Sequence, residues 1–346
     1  MKSMPQDFLG KLEDQNHLEL KLVQELKSSH NMRTALITGV SGYLGSHLAK
    51  QLKKSGWTVI GLDIKFTANR YLDNFYPFDI LNRESLMYVF DQHKIDVVFH
   101  LAGKIEVGES VHKPTEYFNT NVAGTCILLD VMNQAQVKNI VYSSTAGLYK
   151  SKNTKLSEED IVNPFNNPYA GSKYAAELAI RQSGFNFAIF RYFNLAGADS
   201  DGEFGECHEP ETHLIPRILQ NINNFTIYGD IFNTPDGTCV RDYVHVEDVS
   251  LAHVSGAEHI LQHKKSITLN LGTGEGKSVR QIVNLIEKTL NLKVNYEVVA
   301  PRDGDPDCLV ADITLAEKIL NFKPKHDIIS IIETAYDWEK NGRGKE

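Results

Sequence analysis

A glycine-rich turn between a short apolar run and an amphipathic segment constrains the fold of this chain most. Thr34–Thr38 is largely apolar, and Tyr43–Ser55 carries leucines at the spacing of a helix face. Between and within them, Gly39, Gly42 and Gly45 let the turn tighten and let its backbone approach a pyrophosphate. The start of the helix adds N–H groups and a favourable dipole. This strand–turn–helix unit predicts a dinucleotide-binding site.

An acidic residue follows at the expected distance. Asp63 ends a second predicted strand, close to the offset of about 20 residues at which an acid binds the adenosine ribose hydroxyls. A carboxylate there favours NAD over NADP, because it repels a 2′-phosphate. Lys65, two residues later, is the only feature nearby that would suit the phosphorylated cofactor.

Apolar runs and helical patterns alternate over the first 190 residues. Strands are predicted at Thr34–Thr38, Thr58–Asp63, Val97–Leu101, Asn139–Ser144 and Phe187–Phe190, and helices at Tyr43–Ser55, up to Phe90, at Asn119–Gln134 and at Pro168–Gln182. Such alternation predicts an α/β fold, a Rossmann-like doubly wound parallel sheet, and beyond Asn194 it loosens into a smaller C-terminal substrate domain. Residues 1–31 are expected to be an N-terminal extension, since terminal segments are often poorly ordered.

Composition and charge exclude several classes of protein. The 346 residues carry a net charge of −8 without a basic tract, which argues against nucleic-acid binding. No apolar run reaches the roughly 18 residues of a membrane span, and the N-terminus lacks a signal-peptide core. We therefore expect a cytoplasmic protein that binds no membrane. Its four cysteines lie far apart and are expected to be reduced thiols.

A tyrosine and a lysine four residues apart are the candidate catalytic pair. Tyr169 and Lys173 share one face of the Pro168–Gln182 helix. A nearby ammonium lowers a tyrosine pKa from about 10, which would let the phenolate act as a general base on a sugar hydroxyl. The predicted strand ending at Ser143, Ser144 and Thr145 lies 24 residues before Tyr169 and could place a hydroxyl beside it.

Several separated motifs then point to one family. Besides the glycine turn, Thr145, Tyr169 and Lys173, they are His100–Gly103, Val107–Ser110, Arg191–Asn194, Pro210–Leu214, Thr234–Thr238, Val240–His245 and Gly304–Pro306. From Met32 to Trp338 the chain resembles the extended short-chain dehydrogenase/reductases, and within them the UDP-hexose 4-epimerases. The resemblance implies a homodimer that uses NAD to convert UDP-galactose to UDP-glucose through a transient 4-keto sugar.

The resemblance also implies roles for individual residues. Thr145, Tyr169 and Lys173 would be catalytic, with Tyr169 as the base. The cofactor would contact Gly39, Gly42, Tyr43, Leu44, Gly45, Asp63, Asp79, Ile80, Leu101, Ala102, Gly103, Asn121, Ser143, Tyr169 and Lys173. The UDP-sugar would contact Thr145, Asn194, His213, Leu214, Tyr228, Arg241, Arg302, Asp305 and Leu309. The NAD-binding domain would span 32–195, with a return of the chain around 236–270, and 196–346 would mainly bind the UDP-sugar.

The chain departs from the family pattern in places, and these departures bear on alternative functions. Ile105 stands where a lysine is frequent near the cofactor, and Leu309 leaves open whether an N-acetylated sugar fits, so UDP-N-acetylglucosamine is an alternative substrate. Ala146 and Gly147 replace the acid pair of the 4,6-dehydratases, which argues against dehydration. A glucuronate-acting decarboxylase or another nucleotide-sugar enzyme remains an alternative. The intact Thr–Tyr–Lys set disfavours a non-enzymatic NAD sensor.

Two further patterns are interpreted as structural. Gly272–Ser278 looks like an ATP-binding loop, but Leu271 stands where the first glycine of a P-loop belongs. We interpret it as a turn before a Val279–Leu290 helix, with Ser278 as its N-cap. His259 and His263 have the spacing of metal ligands on a helix, but no third ligand is evident, and no metal site is expected.

Overall fold

Parallel strands and helices alternate from Thr34 onward in the computed structural model, which describes residues 32–302 and 305–342. The expected N-terminal extension, 1–31, lies outside these ranges, as does Gly304. The strands are β1 (Thr34–Thr38), β2 (Thr58–Leu62), β3 (Asn74–Tyr76), β4 (Val97–His100), β5 (Asn139–Thr145), β6 (Asn186–Tyr192), β7 (Asn194–Ala196), β8 (Phe225–Tyr228), β9 (Val240–His245), β10 (Ile267–Leu271), β11 (Gly276–Ser278), β12 (Tyr296–Val299) and β13 (Cys308–Leu309). The α-helices are α1 (Tyr43–Lys54), α2 (Arg83–Gln92), α3 (Val107–His112), α4 (Pro114–Phe118), α5 (Gly124–Gln134), α6 (Pro168–Gln182), α7 (Leu214–Gln220), α8 (Val246–His263), α9 (Val279–Leu290), α10 (Thr314–Leu320) and α11 (Ile328–Asp337).

A seven-stranded parallel sheet forms the centre of the described structure. Its order is β10-β6-β5-β4-β1-β2-β3, so the chain leaves β1 toward β2 and later returns to the other side of β1 with β4. Thr38 lies opposite both Leu62 and His100, which brings the carboxyl ends of β1, β2 and β4 to one edge. In such sheets, ligands bind outside this edge, where the strand order reverses. The predicted α/β fold is confirmed.

Helices cover both faces of the sheet and bury its apolar side chains. On one face, α1, α8 and α10 pack on a cluster that includes Leu48, Phe99 and Phe190. On the other face, α2, α5 and α6 pack on a cluster that includes Leu128 and Tyr142. Both faces of the strands are therefore dry, which explains why these strands are continuous apolar runs in the sequence.

Smaller sheets lie beyond the central one. Strand β9 pairs with β7, β11 and β13, and β8 pairs with β12. A third apolar cluster, with Ile215, Ile282 and Ile331, joins helices α7, α9 and α11 behind β8. Because Leu309 lies opposite Arg241 in the β13–β9 pair, residues distant in the sequence share one surface there.

Local predictions agree with the structure where the pattern is strong. Helix α6 begins and ends as predicted, and Ser278 caps α9, accepting from Gln281 N at 3.1 Å. The predicted Asn119–Gln134 helix instead opens with a π-helical turn, Asn119–Ala123. Strand β3 and helices α3 and α4 were not predicted, because β3 is a short, partly exposed edge strand and the two helices are shorter than a reliable periodic pattern.

None of the helices in the described ranges combines the length and apolar character that a bilayer crossing needs.

Candidate active site

The glycine turn after β1 is built around contacts that exclude larger residues. Gly39 has φ of +78°, and a Cβ atom on it would lie 2.6 Å from Ala102 N, in the loop after β4. A Cβ atom on Gly45 would lie 2.8 Å from both Cα and O of Val40. Leu101 N completes the junction by donating to Thr38 O at 3.0 Å. The turn is therefore held at the switch point between β1 and β4.

The start of helix α1 is open to an anion. Gly42 is the N-cap and supplies no side-chain cap, so Tyr43, Leu44 and Gly45 present the first N–H groups of a twelve-residue helix. These groups lack carbonyl partners within the helix, and the dipole favours negative charge beside them. The cradle of backbone N–H groups and missing side chains fits the pyrophosphate of a dinucleotide.

Asp63 lies directly beside this turn. Its carboxylate accepts from Ser41 N at 3.0 Å and from Lys65 N at 2.9 Å. The acid predicted to bind a ribose is thus fixed against the turn by two backbone donors while remaining only half-buried. Lys65 contributes its backbone here, and this arrangement supports the preference for a cofactor without a 2′-phosphate.

Asn121 fastens the loop after β4 to helix α6. Its side chain accepts from Lys104 N at 2.8 Å and donates to Lys104 O at 3.0 Å and to Ser172 Oγ at 2.9 Å. A Cβ atom on Gly103 would lie 2.9 Å from Asn121 Oδ1, so this loop also requires a glycine. Asn121 therefore positions the loop on the predicted cofactor side rather than presenting a free amide.

The loop after β3 holds the other predicted cofactor residues. Asp79 accepts from Leu81 N at 2.9 Å, and Ile80 is buried against Gly124, where a Cβ atom would lie 3.0 Å from the isoleucine. Lys104 does not replace the missing lysine at Ile105, because it pairs with Glu116 at 2.6 Å and with Glu109 at 3.4 Å.

The predicted catalytic residues converge beyond the end of β5. The Thr145 hydroxyl accepts from Gly147 N at 3.0 Å and hydrogen-bonds the Tyr169 phenol. Lys173, buried one turn along α6, donates to Ser143 O at 2.5 Å and lies over the Tyr142 ring. Strand β5 and helix α6 therefore bring together a hydroxyl, a phenol and an ammonium.

The pKa of Tyr169 differs from the prediction. Burial raises it above its ordinary value, and the hydrogen bond from Thr145 opposes this only in part. Burial also lowers the pKa of Lys173 to about 8, against the opposite influence of Glu177. The sequence predicted that the Lys173 ammonium lowers the tyrosine pKa. In the protein without cofactor, desolvation of the phenol dominates instead, and Lys173 donates to the backbone carbonyl of Ser143.

A buried ion pair that the sequence did not reveal holds the catalytic helix in place. Arg191 on β6 donates to Glu177 on α6 through Nε at 3.0 Å and Nη2 at 2.7 Å, and Ser144 Oγ donates to the same carboxylate at 2.5 Å. Glu177 lies one turn beyond Lys173, so the pair fixes α6 against β5 and β6. The only sequence signal was a charged residue within an otherwise apolar strand.

Two arginines gather around Tyr228, at the end of β8. Arg302 stacks on the Tyr228 ring at 4.0 Å, and Arg217 lies 5.5 Å from the same ring. Hydrogen bonds from Arg302 and Arg217 lower the pKa of the Tyr228 phenol. Arg217 on α7 was missed from the sequence, although it follows the Pro210–Leu214 motif by three residues. Two guanidinium groups in one place suit a diphosphate.

The remaining predicted substrate residues lie on the small sheet and around helix α7. Arg241 donates to Pro306 O at 2.8 Å and lies 3.8 Å from Asp305. Leu309 is buried in an apolar cluster with Ala146, directly after Thr145. Asn194 is half-buried at the start of β7, His213 precedes α7 and Leu214 begins it. The predicted residues thus lie on strands β7, β9 and β13, in the loop before β13 and at the start of helix α7.

Comparison with known proteins assigns the chain to a family. The model of the NAD dependent epimerase/dehydratase family matches residues 35–272. A UDP-glucose 4-epimerase of Lactobacillus helveticus is 41% identical over 320 residues, covering 88% of this chain and 97% of that protein.

Solved structures of the same kind match in three dimensions. A UDP-glucose 4-epimerase of Stenotrophomonas maltophila, solved with bound NAD and formylated UDP-arabinopyranose, is 33% identical with a TM-score of 0.85, and covers 89% of this chain and 98% of its own. One from Brucella ovis, in complex with NAD, is 37% identical with a TM-score of 0.84, at 88% and 97% coverage. The chain belongs to the NAD dependent epimerase/dehydratase family, as a relative of its UDP-glucose 4-epimerases.

Proposed function

We propose that this chain catalyses the NAD-dependent 4-epimerisation of a UDP-hexose, converting UDP-galactose to UDP-glucose through a transient 4-keto sugar. The observation that carries the proposal is that Thr145, at the end of β5, and Lys173 and Tyr169, on α6, lie at the sheet edge that also holds the glycine turn. A base for a sugar hydroxyl and a cradle for a dinucleotide thus lie at one edge, as a reaction between the two ligands requires.

The residues of the chain supply proton transfer and orientation. Tyr169 takes the proton of the 4-hydroxyl and returns it after the sugar has turned, and Thr145 hydrogen-bonds the reacting oxygen. When bound, NAD supplies the acceptor and donor of the C4 hydride and a positive ring that opposes the burial of the phenolate. Lys173 would hold the nicotinamide ribose, and Gly39, Gly42 and the start of α1 the pyrophosphate.

The division of the chain follows from these roles. We propose that residues 32–195, with the return around 236–270, mainly bind NAD, because β10 lies in the central sheet beside β6. Residues 196–346 would mainly bind the UDP-sugar, with Tyr228, Arg241, Arg302 and Asp305 at its nucleotide end. Asn194, His213, Leu214 and Leu309 would line the rest.

A homodimer is part of the proposal. Helices α3 and α4 expose the apolar side chains Val107, Val111 and Phe118. Apolar side chains grouped on one surface favour a protein interface. Sedimentation equilibrium of the purified chain tests this, and a monomer at micromolar concentration contradicts it.

An NMR time course tests the reaction and its substrate range. The purified chain is mixed with UDP-galactose, with and without added NAD, and in parallel with UDP-N-acetylgalactosamine. Conversion of UDP-galactose is expected, and conversion of the acetylated sugar as well would show that the apolar cluster around Leu309 leaves room for an acetamide. Failure to convert either sugar with NAD present contradicts the proposal.

A further inference from the structure

Four side chains of the types that ligate metals converge in a short segment before α7. None belongs to the proposed catalytic set, and His213 is also among the proposed substrate residues. They are Glu206, His208, Glu211 and His213, each offering one ligand atom, and the four atoms lie within 4.8 Å of one another. The rings of the two histidines lie 5.3 Å apart, and His208 Nδ1 lies 3.2 Å from Glu206 Oε1. No metal site was predicted here from the sequence, because the four residues do not have the spacing of a known ligand motif.

The cluster holds an unusual share of unsatisfied polar atoms. Among the residues that the structure describes, seven buried side-chain nitrogen and oxygen atoms make no aligned hydrogen bond, and four of them are Glu206 Oε1, His208 Nδ1, Glu211 Oε2 and His213 Nδ1. Glu206 itself is only 4% exposed. These atoms face one another: Glu206 Oε1 is in ion-pair contact with Nδ1 of His208, at 3.2 Å, and with Nδ1 of His213. A bound cation would be shared by the same donor atoms.

The surrounding contacts orient these ligands as a metal site requires. Glu211 Oε1 accepts from Thr212 N at 2.8 Å and from His213 N at 2.9 Å, and it lies 3.7 Å from His213 Nδ1. Trp338 Nε1 donates to Glu206 O at 2.9 Å and anchors the backbone at the other end. Outer contacts of this kind fix the orientation of metal ligands. The His213 side chain remains 37% exposed and provides a path for entry.

The donor set indicates the class of metal. Two imidazole nitrogens and two carboxylate oxygens suit a borderline divalent transition metal such as Zn²⁺ rather than Ca²⁺ or Mg²⁺, which prefer oxygen ligands alone. Ligand atoms of tetrahedral zinc lie about 3.4 Å apart, given bonds of about 2.1 Å. Side chains whose donors already lie within 4.8 Å need only small rotations to reach that arrangement.

Charge also favours a cation at this place. Two carboxylates, from Glu206 and Glu211, lie in this cluster, and a divalent cation would compensate their charge. The two histidines would bind such an ion as neutral imidazoles.

A second histidine–carboxylate group lacks these properties. His245, Glu247 and His326 also lie within ligand distance of one another. However, His245 Nδ1 accepts from Glu247 N at 3.1 Å and its Nε2 contacts Thr334 at 3.2 Å, while His326 Nδ1 contacts Asp248 at 3.1 Å. The imidazoles of this second group already have hydrogen-bond partners, Thr334 and Asp248 among them. The second group therefore serves as a comparison for metal binding.

We propose that Glu206, His208, Glu211 and His213 form a binding site for one divalent transition-metal ion, of which Zn²⁺ fits best. The site adjoins the glycine turn, since the His208 ring lies 6.5 Å from that of Tyr43. A bound ion would hold residues 206–213, which precede helix α7, in a fixed conformation beside this turn. Because the proposal concerns binding, it stands or falls independently of the epimerase activity.

Metal titrations of the full-length protein test the site. After treatment with a chelator, the protein is titrated with Zn²⁺ by calorimetry and with Co²⁺, whose visible absorption reports tetrahedral coordination. We expect one tight equivalent and a rise in Tm on adding Zn²⁺. His208→Gln and, separately, Glu211→Gln should weaken Zn²⁺ binding by at least about 100-fold, since each removes a ligand.

Control variants separate this site from the others. A His259→Gln/His263→Gln variant and a His326→Gln variant should bind Zn²⁺ as the unmodified chain does. Circular dichroism of each variant without metal shows whether it has folded. If His208→Gln does not fold, Glu211→Gln tests the site in its place. The proposal is overturned if the unmodified chain binds no stoichiometric Zn²⁺, or if its binding survives in both ligand variants.

Discussion

At the scale of single residues, the proposed chemistry depends on the phenol of Tyr169. The Thr145 hydroxyl, which accepts from Gly147 N, acts on this phenol and lowers its pKa in part. Burial keeps the pKa of Tyr169 raised in the protein without ligands. The phenolate therefore requires a neighbouring positive charge, and in the proposed complex the cofactor ring provides it.

Replacing this tyrosine tests its role as a base. Tyr169→Phe should lower kcat for UDP-galactose by at least about 100-fold while NAD and UDP-sugar still bind, because only the ionisable oxygen is lost. The matched control is Tyr336→Phe, since Tyr336 also has a lysine four residues later, with Lys340 Nζ 5.6 Å from its ring centre. The control should retain full activity, and comparable losses in both variants would contradict the assignment.

The sequence patterns predicted which residues belong to the proposed site better than they predicted the pKa values of those residues. The spacing of Tyr169 and Lys173 placed both on one helix face, and the structure agrees. The spacing could not reveal that burial raises the pKa of Tyr169. Nor could it reveal that Arg217 lies against Tyr228. Both features depend on contacts between residues that are far apart in the sequence.

At the scale of elements, the turn between β1 and α1 sets the position of the cofactor. Gly45→Ala would force a methyl group against the Val40 backbone and should lower the free energy of unfolding by about 1–3 kcal/mol and weaken NAD binding. Gly108→Ala is the matched control, because a Cβ atom there meets nothing within 4 Å. Denaturant melts and NAD titrations provide the measurement, and equal behaviour of the two variants would contradict this account of the turn.

Helices and strands with clear capping residues or apolar patterns were predicted well from the sequence. Those without such patterns were not. Pro168 at the first turn and the capping side chain of Asn167 define the start of α6, so its boundary follows from the sequence. Strand β3 lies at the sheet edge with an exposed Asn74, and its pairing with β2 has no local signature. The small sheet was not predicted, because β9 gathers β7, β11 and β13 from segments far apart in the chain.

At the scale of the whole molecule, a buried lysine links α1 to the segment after β7. Lys50 Nζ lies 2.7 Å from Asp199, 2.8 Å from Asp201 and 3.0 Å from Glu203. Burial alone would raise the pKa of Asp199, but the hydrogen bonds from Lys50 outweigh it and leave the pKa below its ordinary value. Removing one partner of a buried pair leaves the other charge unpaired.

Lys50→Met should therefore destabilise the protein by about 3 kcal/mol near neutral pH. Because the folded pKa of Asp199 is lowered, the stabilisation is present above its unfolded pKa, 3.8, and is lost as the pH falls below that value. The difference in Tm between Lys50→Met and the unmodified chain should therefore become smaller as the pH is lowered. Lys53→Met, which removes a more exposed pair with Asp73, should cost at most about 1 kcal/mol, and a larger loss there would contradict the account.

The most direct test of the proposed function follows the C4 hydrogen of the sugar. UDP-galactose is incubated with the NAD-loaded protein in D₂O, and the product is examined by NMR. If the hydrogen leaves C4 as a hydride and returns to the same carbon while Tyr169 exchanges only the hydroxyl proton, UDP-glucose forms with ordinary hydrogen at C4. Deuterium at C4 of the product would contradict the account, because it would show that the C4 hydrogen had been removed as a proton.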